Sequence, residues 1–366
     1  MARSTGRFRS AALRAVLSLG MSSAVRAGAT ALGRDPGGMV GSAAARSPST
    51  PALPSTSAGA APPGAAVTGE NRIDSVALDE ALAEAGVEVP DGASVYAALV
   101  VKTPKGLDYE RFEAGGGAVA DNLWPASSIK VLAAEGALEY LADLGFTGAA
   151  TVTMGDDTFT VADLYEAAIT DSSNEAYDTL VQIAGVDWLN THFLTAENGF
   201  PDTVIQRSYT GFGVRSSPEM TISENGRQVT VPARESTGTY DCPDDGNCSN
   251  LVAMTDSVAR VVLHGELDPA DRLNIAPADI TGLQDALRDA EGFIEPAVDR
   301  VLGPDVEVYN KPGYVPGDSC VDVAVLDDPA TSQQYLLGVA TPDDGPTCPA
   351  VVHLATATLD FLESAG

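Results

Sequence analysis

The order of apolar and polar positions predicts strands at the two ends of the chain and helices between them. Residues 75–88 have the apolar spacing of an amphipathic helix, and two strand-like segments, 94–103 and 106–115, follow it around a short turn. Three further strands and a final helix are predicted towards the C-terminus, at 306–313, 319–328, 334–342 and 350–365. We therefore expect an α+β fold whose antiparallel sheet is formed by N- and C-terminal strands and flanked by helices.

The middle of the chain has helical periodicity. A long apolar, helix-favouring segment begins near Ser127, and residues 159–185 read as two helices separated by an irregular turn. We expect these helices to form an all-helical subdomain. The stretch from Phe200 to Cys248 is rich in Ser, Thr, Gly and Pro without a clear period, which predicts a long functional or inserted loop.

The N-terminal region differs in composition from the rest. Residues 1–34 carry arginines before the first acidic residue, and the uncharged stretch 15–25 is typical of a weak secretory signal with a small-residue cleavage site at 27–29. A disordered basic tail or a misassigned start codon explains the same pattern. Residues 35–72 are rich in Ala, Pro and Ser and read as a disordered linker, so the folded domain is expected at 73–366.

Composition and charge exclude several classes of function. Residues 73–366 hold 13 basic and 49 acidic residues, a formal charge of −36. Such a surface repels nucleic acid and anionic membranes. No uninterrupted apolar run approaches the ~18 residues of a membrane-spanning helix. We therefore expect no nucleic-acid partner and no stable membrane insertion. We also expect a monomer.

The four cysteines are more consistent with disulfides than with a metal site. They form no Cys-x-x-Cys pair, and the chain has only three histidines, so zinc has little support. Four cysteines allow three pairings, of which we favour Cys242 with Cys248 and Cys320 with Cys348. Disulfides imply an oxidising compartment, and a secreted, periplasmic or cell-envelope location is therefore expected.

One lysine is placed for chemistry. The chain has four lysines, and Lys130 follows Ser127 by three residues at the start of the long helix. This spacing puts both side chains on one helix face, where a lysine of lowered pKa can take the proton of a serine hydroxyl. The helix N-terminus also favours a developing oxyanion. Taken singly, Ser127 also fits a helix cap and Lys130 an exposed helix residue.

Two more motifs follow in the chain, Ser172-Ser173-Asn174 between two helices and Lys311-Pro312-Gly313 at the end of a strand. In this order the three motifs resemble those of the penicillin-recognising active-site serine hydrolases, most closely the class A β-lactamases, with Ser-x-x-Lys, Ser-Asp-Asn and Lys-Thr-Gly. The resemblance covers roughly residues 75–366.

The resemblance implies a role for each motif residue. Ser127 would be the nucleophile, Lys130 its base, and Ser172 a proton relay towards the leaving nitrogen. Asn174 would hold the side-chain amide of the substrate, and Lys311 would attract its carboxylate. Gly313 would let its strand approach the ligand, because glycine has no Cβ. The backbone amides of Ser127 and Tyr314 would bind the oxyanion, and no metal or organic cofactor is needed.

The chain departs from the pattern of that family in three places. Ser173 replaces the aspartate of the second motif, and Pro312 replaces the Thr or Ser of the third. The glutamate that activates the deacylating water is also missing, because residues 204–213 contain no carboxylate. Glu235 is a weak substitute, for which a solvated loop position is the simpler interpretation.

Three functions therefore remain open. The first is a serine hydrolase that opens a β-lactam or cleaves a related amide through an acyl-enzyme. The second is a DD-peptidase or another peptidoglycan-directed acylase, which the missing glutamate favours. The third is a non-catalytic penicillin-binding or sensor domain, which Pro312 favours and the Ser127–Lys130 pair opposes. A Ser-His-Asp triad with His192, His264 or His353 stays open on spacing, because triads are defined in space.

Overall fold

The computed structural model describes residues 73–104, 106–120, 123–211 and 213–365. The predicted N-terminal segment 1–34 and linker 35–72 lie outside these residues. Within the described part the helices are α1 Ala77–Glu84, α2 Lys130–Asp143, α3 Val161–Ile169, α4 Asn174–Ala184, α5 Val186–Trp188, α6 Leu251–Val262, α7 Pro277–Asp289, α8 Glu295–Val301 and α9 Pro349–Ala365. The strands are β1 Ile73–Asp74, β2 Ser94–Thr103, β3 Gly106–Ala114, β4 Thr151–Met154, β5 Asp157–Thr160, β6 Ser216–Ser217, β7 Met220–Glu224, β8 Arg227–Val231, β9 Arg234–Glu235, β10 Glu307–Val315, β11 Ser319–Asp328 and β12 Gln333–Pro342.

The main sheet joins the two ends of the described chain. Its strand order is β1-β3-β2-β12-β11-β10, so the N-terminal hairpin pairs with the C-terminal strands through β2 and β12. These two strands are antiparallel, with Val95 opposite Val339. The predicted α+β fold with a terminal-strand sheet is confirmed, and β10 forms one edge of that sheet.

Helices cover both faces of this sheet, and the two-residue alternation of the strands assigns each side chain to a face. Val95, Ala97 and Leu99 of β2 pack in one core with α1, α8 and α9. Their neighbours in sequence, Tyr96 and Ala98, pack in the other core with α2, α3, α4, α6 and α7. The apolar runs of β2, β11 and β12 are continuous because neither face meets water.

Helix α2 lies inside the second core. The side chains of α2 are themselves buried on nearly every side of the helix, from Lys130 at its first residue to Leu141 in its last turn. A helix that is apolar all round is a buried helix. Lys130 is therefore fully buried because of where its helix lies, and not because its own side chain is apolar.

The prediction of a loop without secondary structure between Phe200 and Cys248 is wrong. This stretch contains β6 to β9, and β7 and β8 pair with β4 and β5 in a second sheet of order β5-β4-β7-β8. The helical subdomain is therefore not all-helical. Asn225 and Gly226, both at positive φ, make the turn between β7 and β8. Asn-Gly between alternating residues is a strong hairpin signal, which composition obscured.

The cysteines pair as predicted, Cys242 with Cys248 and Cys320 with Cys348, each pair with Cα atoms 5.9 Å apart. The second bridge ties β11 to the start of α9. Near the first bridge, Val204 and Cys248 exchange backbone hydrogen bonds of 2.8 and 3.1 Å. These bonds bring the two ends of the segment 204–248 together. Among the described helices, none is both long and apolar enough to cross a membrane.

Candidate active site

Ser127 lies at the junction of the sheet and the helices. It belongs to a 3₁₀ turn, Ala126–Ile129, that leads directly into α2. The preceding residue, Ala126, has a φ of +48°, an uncommon conformation outside glycine that is often found at functional sites. The hydroxyl of Tyr209 donates to the carbonyl of Ala126 over 2.6 Å and helps hold this turn. Ser127 itself is half-buried.

Strand β10 passes against the Ser127 turn at Gly313. A Cβ atom placed there would lie 2.8 Å from the oxygen of Pro125, 2.9 Å from Cβ of Ala126 and 3.0 Å from the nitrogen of Ser127. Any side chain would push the strand and the turn apart. Glycine is therefore required here because there is no room for a Cβ atom. Its φ is not positive, so the backbone conformation alone would accept another residue.

We expect Gly313→Ala to lower the rate of acylation by penicillin G at least ~100-fold, since displacing reactive groups by about 1 Å has effects of that size. Overpacking costs only about 1–3 kcal/mol, so the melting temperature should fall by no more than several degrees. Gly265→Ala is the matched control, because a Cβ at Gly265 meets no atom within 4 Å. Equal acylation rates in Gly313→Ala and wild type would contradict this account of the contact.

The ammonium of Lys130 points at the second motif. Its Nζ donates to the backbone oxygen of Ser172, to Oγ of Ser172 at 3.3 Å and to Oδ1 of Asn174 at 2.7 Å. Among the described residues it makes no hydrogen bond to Ser127. Burial, followed by the charge of Lys311, lowers the pKa of Lys130 to about 7. A substantial fraction of neutral amine is therefore present at neutral pH.

Lys311 is a second buried cation. It shares a face of β10 with Gly313, two residues on, and is 1% exposed. Burial lowers the pKa of Lys311 to about 8, although the charge of Asp322 opposes this shift. No described residue makes a hydrogen bond or ion pair with its ammonium. A buried cation without a partner is suited to a carboxylate of a ligand.

The second motif forms a turn that places two side chains beside Lys130. Ser172 has a φ of +54°, and Asn174 is the first residue of α4. Ser173, where the family has aspartate, caps α4 by accepting from the nitrogen of Ala176 at 3.2 Å. Serine and aspartate are comparable helix caps, so this departure keeps the local structure.

Pro312 fits because β10 is an edge strand. A proline in a strand has no N–H to donate, so it is tolerated where its nitrogen faces away from the ladder. In a strand, the backbone groups of residues two apart point to the same side. Because the nitrogen of Pro312 faces the open edge of the sheet, the N–H of Tyr314 faces that edge as well. The side-chain hydroxyl of Tyr314 contacts Asp343 at 3.4 Å.

Two residues near Lys130 were not predicted. Asp178, one turn after Asn174 on α4, accepts from the backbone nitrogens of Tyr209 and Thr210 at 2.9 and 3.0 Å. Tyr209 stacks on Tyr177 with ring centroids 4.6 Å apart. Nζ of Lys130 lies 5.8 Å from the centre of the Tyr209 ring. Tyr209 belongs to the carboxylate-free segment 204–213. Burial raises its pKa to about 12, so at neutral pH its phenol is protonated.

Glu235 is not near this arrangement. It is exposed on β9 and accepts from Oγ of Ser216 at 2.6 Å. The neighbouring Arg234 donates to the carbonyls of Gln182, Ile183 and Ala184, at the C-terminal end of α4. Asn174 begins that helix, about 15 Å away at 1.5 Å per residue.

The three histidines do not form a triad with Ser127. His192 stacks on Trp188 and contacts Oγ1 of Thr191 at 2.8 Å. His264 contacts the carbonyl of Leu273 at 3.1 Å, and His353 is exposed on α9. No described histidine makes a hydrogen bond to Ser127.

Comparison with known proteins identifies the fold. No family model and no curated protein matches the sequence. Among solved structures, the chain is similar to a leucine-to-glutamate variant of PBP-A, an acyl-enzyme complex with penicillin G, at TM-score 0.51 and 16% identity over 78% of this chain and 95% of that one. It is also similar to a variant of the last common ancestor of Gram-negative class A β-lactamases, bound to a transition-state analogue. The TM-score is 0.55 and the sequence identity is 21%, over 79% of this chain and 100% of that one.

A third similar structure is a class A β-lactamase from Bacteroides cellulosilyticus, at TM-score 0.52 and 15% identity over 80% of this chain and 100% of that one. The resemblance inferred from the motifs is thus confirmed as a likeness of fold to class A β-lactamases and PBP-A. At these identities the likeness concerns the fold, and activity must be argued from the site.

Proposed function

We propose that this chain is a serine hydrolase that forms an acyl-enzyme at Ser127 with a β-lactam or a related amide. One observation carries the proposal: Lys130 and Lys311, two of the four lysines of the chain, are both buried beside the Ser127 turn. Burying two cations is costly unless they serve a ligand or a reaction. A scaffold without that chemistry has no need of them.

The proposed acylation step uses the residues of the three motifs. Oγ of Ser127 attacks the carbonyl carbon of the amide while neutral Lys130 accepts its proton. The oxyanion is bound by the backbone amides of Ser127 and Tyr314. When the C–N bond breaks, the proton passes from Lys130 through Oγ of Ser172, 3.3 Å from Nζ, to the leaving nitrogen. Lys311 binds the carboxylate of the substrate, and Asn174 binds its side-chain amide.

Hydrolysis of the acyl-enzyme needs a base for water, and Tyr209 occupies the neighbourhood of Lys130 where such a base would act. A protonated phenol that donates to the carbonyl of Ala126 does not accept a proton from water. This favours the DD-peptidase or other peptidoglycan-directed acylase over an efficient β-lactamase. We expect a β-lactam to leave a long-lived adduct on the protein.

Location follows from the same proposal. Two disulfides favour an oxidising compartment. We propose that residues 1–34 direct export, that 35–72 act as a linker, and that residues 73–366 carry the activity outside the cytoplasm. A β-lactam or a cell-wall peptide would be met there.

The proposal is tested by the intact mass of the full chain at intervals after mixing with penicillin G, with Ser127→Ala as control. An adduct of the mass of penicillin G, absent from the control, supports an acyl-enzyme at Ser127. A transient adduct with ring-opened product supports a β-lactamase, and a persistent one supports the acylase. Neither adduct nor product would contradict the proposal and favour a non-catalytic binding domain.

A further inference from the structure

A carboxylate lies behind the strand that carries Lys311. Asp322 of β11 is opposite Pro312 of β10, the residue that follows Lys311. Residues opposite each other in an antiparallel pair share a face of the sheet, and successive side chains alternate between faces. Asp322 is therefore on the face away from the ammonium of Lys311. Because opposite Cα atoms are only about 5 Å apart, one layer of backbone separates the two charges.

Asp322 is fully buried, and its hydrogen bonds suit an anion. It accepts from the backbone nitrogens of Phe293 and Ile294 at 2.6 and 3.1 Å, and Nδ2 of Asn310 lies 3.3 Å from both of its oxygens. All three partners are N–H donors, which favour the ionised form of a carboxyl group. Burial acts in the opposite direction and raises the pKa of Asp322 to about 7. Above pH 7 the carboxylate is therefore charged in most molecules.

The loop that leads into α8 closes directly over this carboxylate. A Cβ atom placed at Gly292 would overlap Nδ2 of Asn310 and lie 2.6 Å from Oδ2 of Asp322. Oδ1 of Asn310 is buried and has no hydrogen-bond partner among the described residues. The acid that follows this loop, Glu295, accepts from the nitrogen of Gly292 at 3.2 Å. No described cation forms an ion pair with Asp322, so its charge is left to act on Lys311.

Lys311 is a cation that burial disfavours. On its own face of the sheet, the neighbouring charge is the ammonium of Lys130, and two like charges repel each other. Asp322 is the acid whose charge raises the pKa of Lys311 and so favours its cationic form. Both side chains are almost completely buried, so solvent and salt screen this attraction little.

We propose that Asp322 is a positioning residue that acts through Lys311: its carboxylate keeps Lys311 a cation, so that a substrate carboxylate is still bound above neutral pH. Asp322 itself does not touch the substrate, because it lies on the other face of the sheet. This inference rests on the proposed function, since that function gives Lys311 a substrate carboxylate to bind.

The test reads the charge of Lys311 directly by NMR. The chain has only four lysines, so their Cε–Hε signals can be followed separately against pH in the full chain labelled with ¹³C-lysine. Lys311→Met identifies the signal of Lys311, which should titrate with a pKa of about 8 in wild type. Asp322→Asn should lower this midpoint by about one pH unit, the effect of one charge across a protein interior. Asparagine keeps the shape of the side chain, and its NH₂ group can donate to Oδ1 of Asn310 once that amide turns over.

Two further variants separate charge from shape. Asp322→Ser, a second neutral replacement, should lower the midpoint equally, and circular dichroism verifies that both variants fold. Asp328→Asn is the matched control, because Asp328 is a buried acid at the far end of β11, and it should leave the midpoint unchanged. An unchanged Lys311 midpoint in the two Asp322 variants would overturn the inference.

The consequence for the substrate is measured with penicillin G and its methyl ester, which has no carboxylate for Lys311. In Asp322→Asn, the alkaline limb of the second-order acylation rate constant should move to lower pH with penicillin G, in parallel with the NMR midpoint. The pH profile of the ester should stay as in wild type, and an equal displacement with the ester would overturn the inference. Absence of a penicillin G adduct on wild type would contradict the proposed function alone, since the lysine signals are read without substrate.

Discussion

Lys130→Met is expected to lower the rate of acylation by penicillin G about 1,000-fold, because a general base contributes roughly 10²–10⁴-fold to such a step. Methionine keeps the length and apolar stem of the lysine but cannot accept the proton of Ser127. The rate is measured by intact mass under pseudo-first-order conditions, and circular dichroism verifies folding. Lys102→Met is the matched control, since Lys102 is half exposed and paired with Glu266 at 2.7 Å.

The pH profile separates a base from a merely structural lysine. Neutral Lys130 predominates above its pKa of about 7, so the acylation rate should rise as pH increases through 7. Lys311 is a cation below its pKa of about 8, so binding of the substrate carboxylate should weaken as pH rises further. The rate should therefore peak between these values. A wild-type rate that falls through pH 7, or a rising limb that persists in Lys130→Met, would refute the role of Lys130.

Tyr209→Glu is expected to shorten the lifetime of the penicillin adduct at least ~100-fold. The new carboxylate would lie beside the cation of Lys130, which keeps it ionised, and could take a proton from the attacking water. Asp178 would still hold the backbone of this segment, because it accepts from the nitrogen of residue 209. The adduct formed with penicillin G is followed by mass after excess penicillin is removed.

Tyr209→Phe is the control for this substitution. It keeps the ring on Tyr177 and loses the hydrogen bond to the carbonyl of Ala126, so the lifetime of the adduct should stay within a few-fold of wild type. Two outcomes contradict the account: a wild-type adduct that already hydrolyses within seconds, which requires another base, or Tyr209→Phe slowing hydrolysis strongly, which implicates the phenol.

Features encoded by neighbouring residues were predicted from sequence. The sequence predicts strands at 94–103 and 319–328, and the structure has β2 and β11 there, with nearly continuous burial along each strand. Two serines before Asn174 mark the turn that carries the second motif, whereas Lys311, Pro312 and Gly313 lie within β10, which continues to Val315. The two disulfides were chosen correctly because one closes a short polar loop and the other was the remaining pair.

Features that depend on distant segments needed the tertiary structure. Sequence proposes Lys130 as a base, but its lowered pKa arises from burial inside a core and from Lys311, which lies on a strand far along the chain. Tyr209 contacts Ala126, 83 residues away in sequence, and no local pattern predicts that contact. Local spacing determines which side chains share a face, whereas their charge state and their neighbours depend on how those faces pack together.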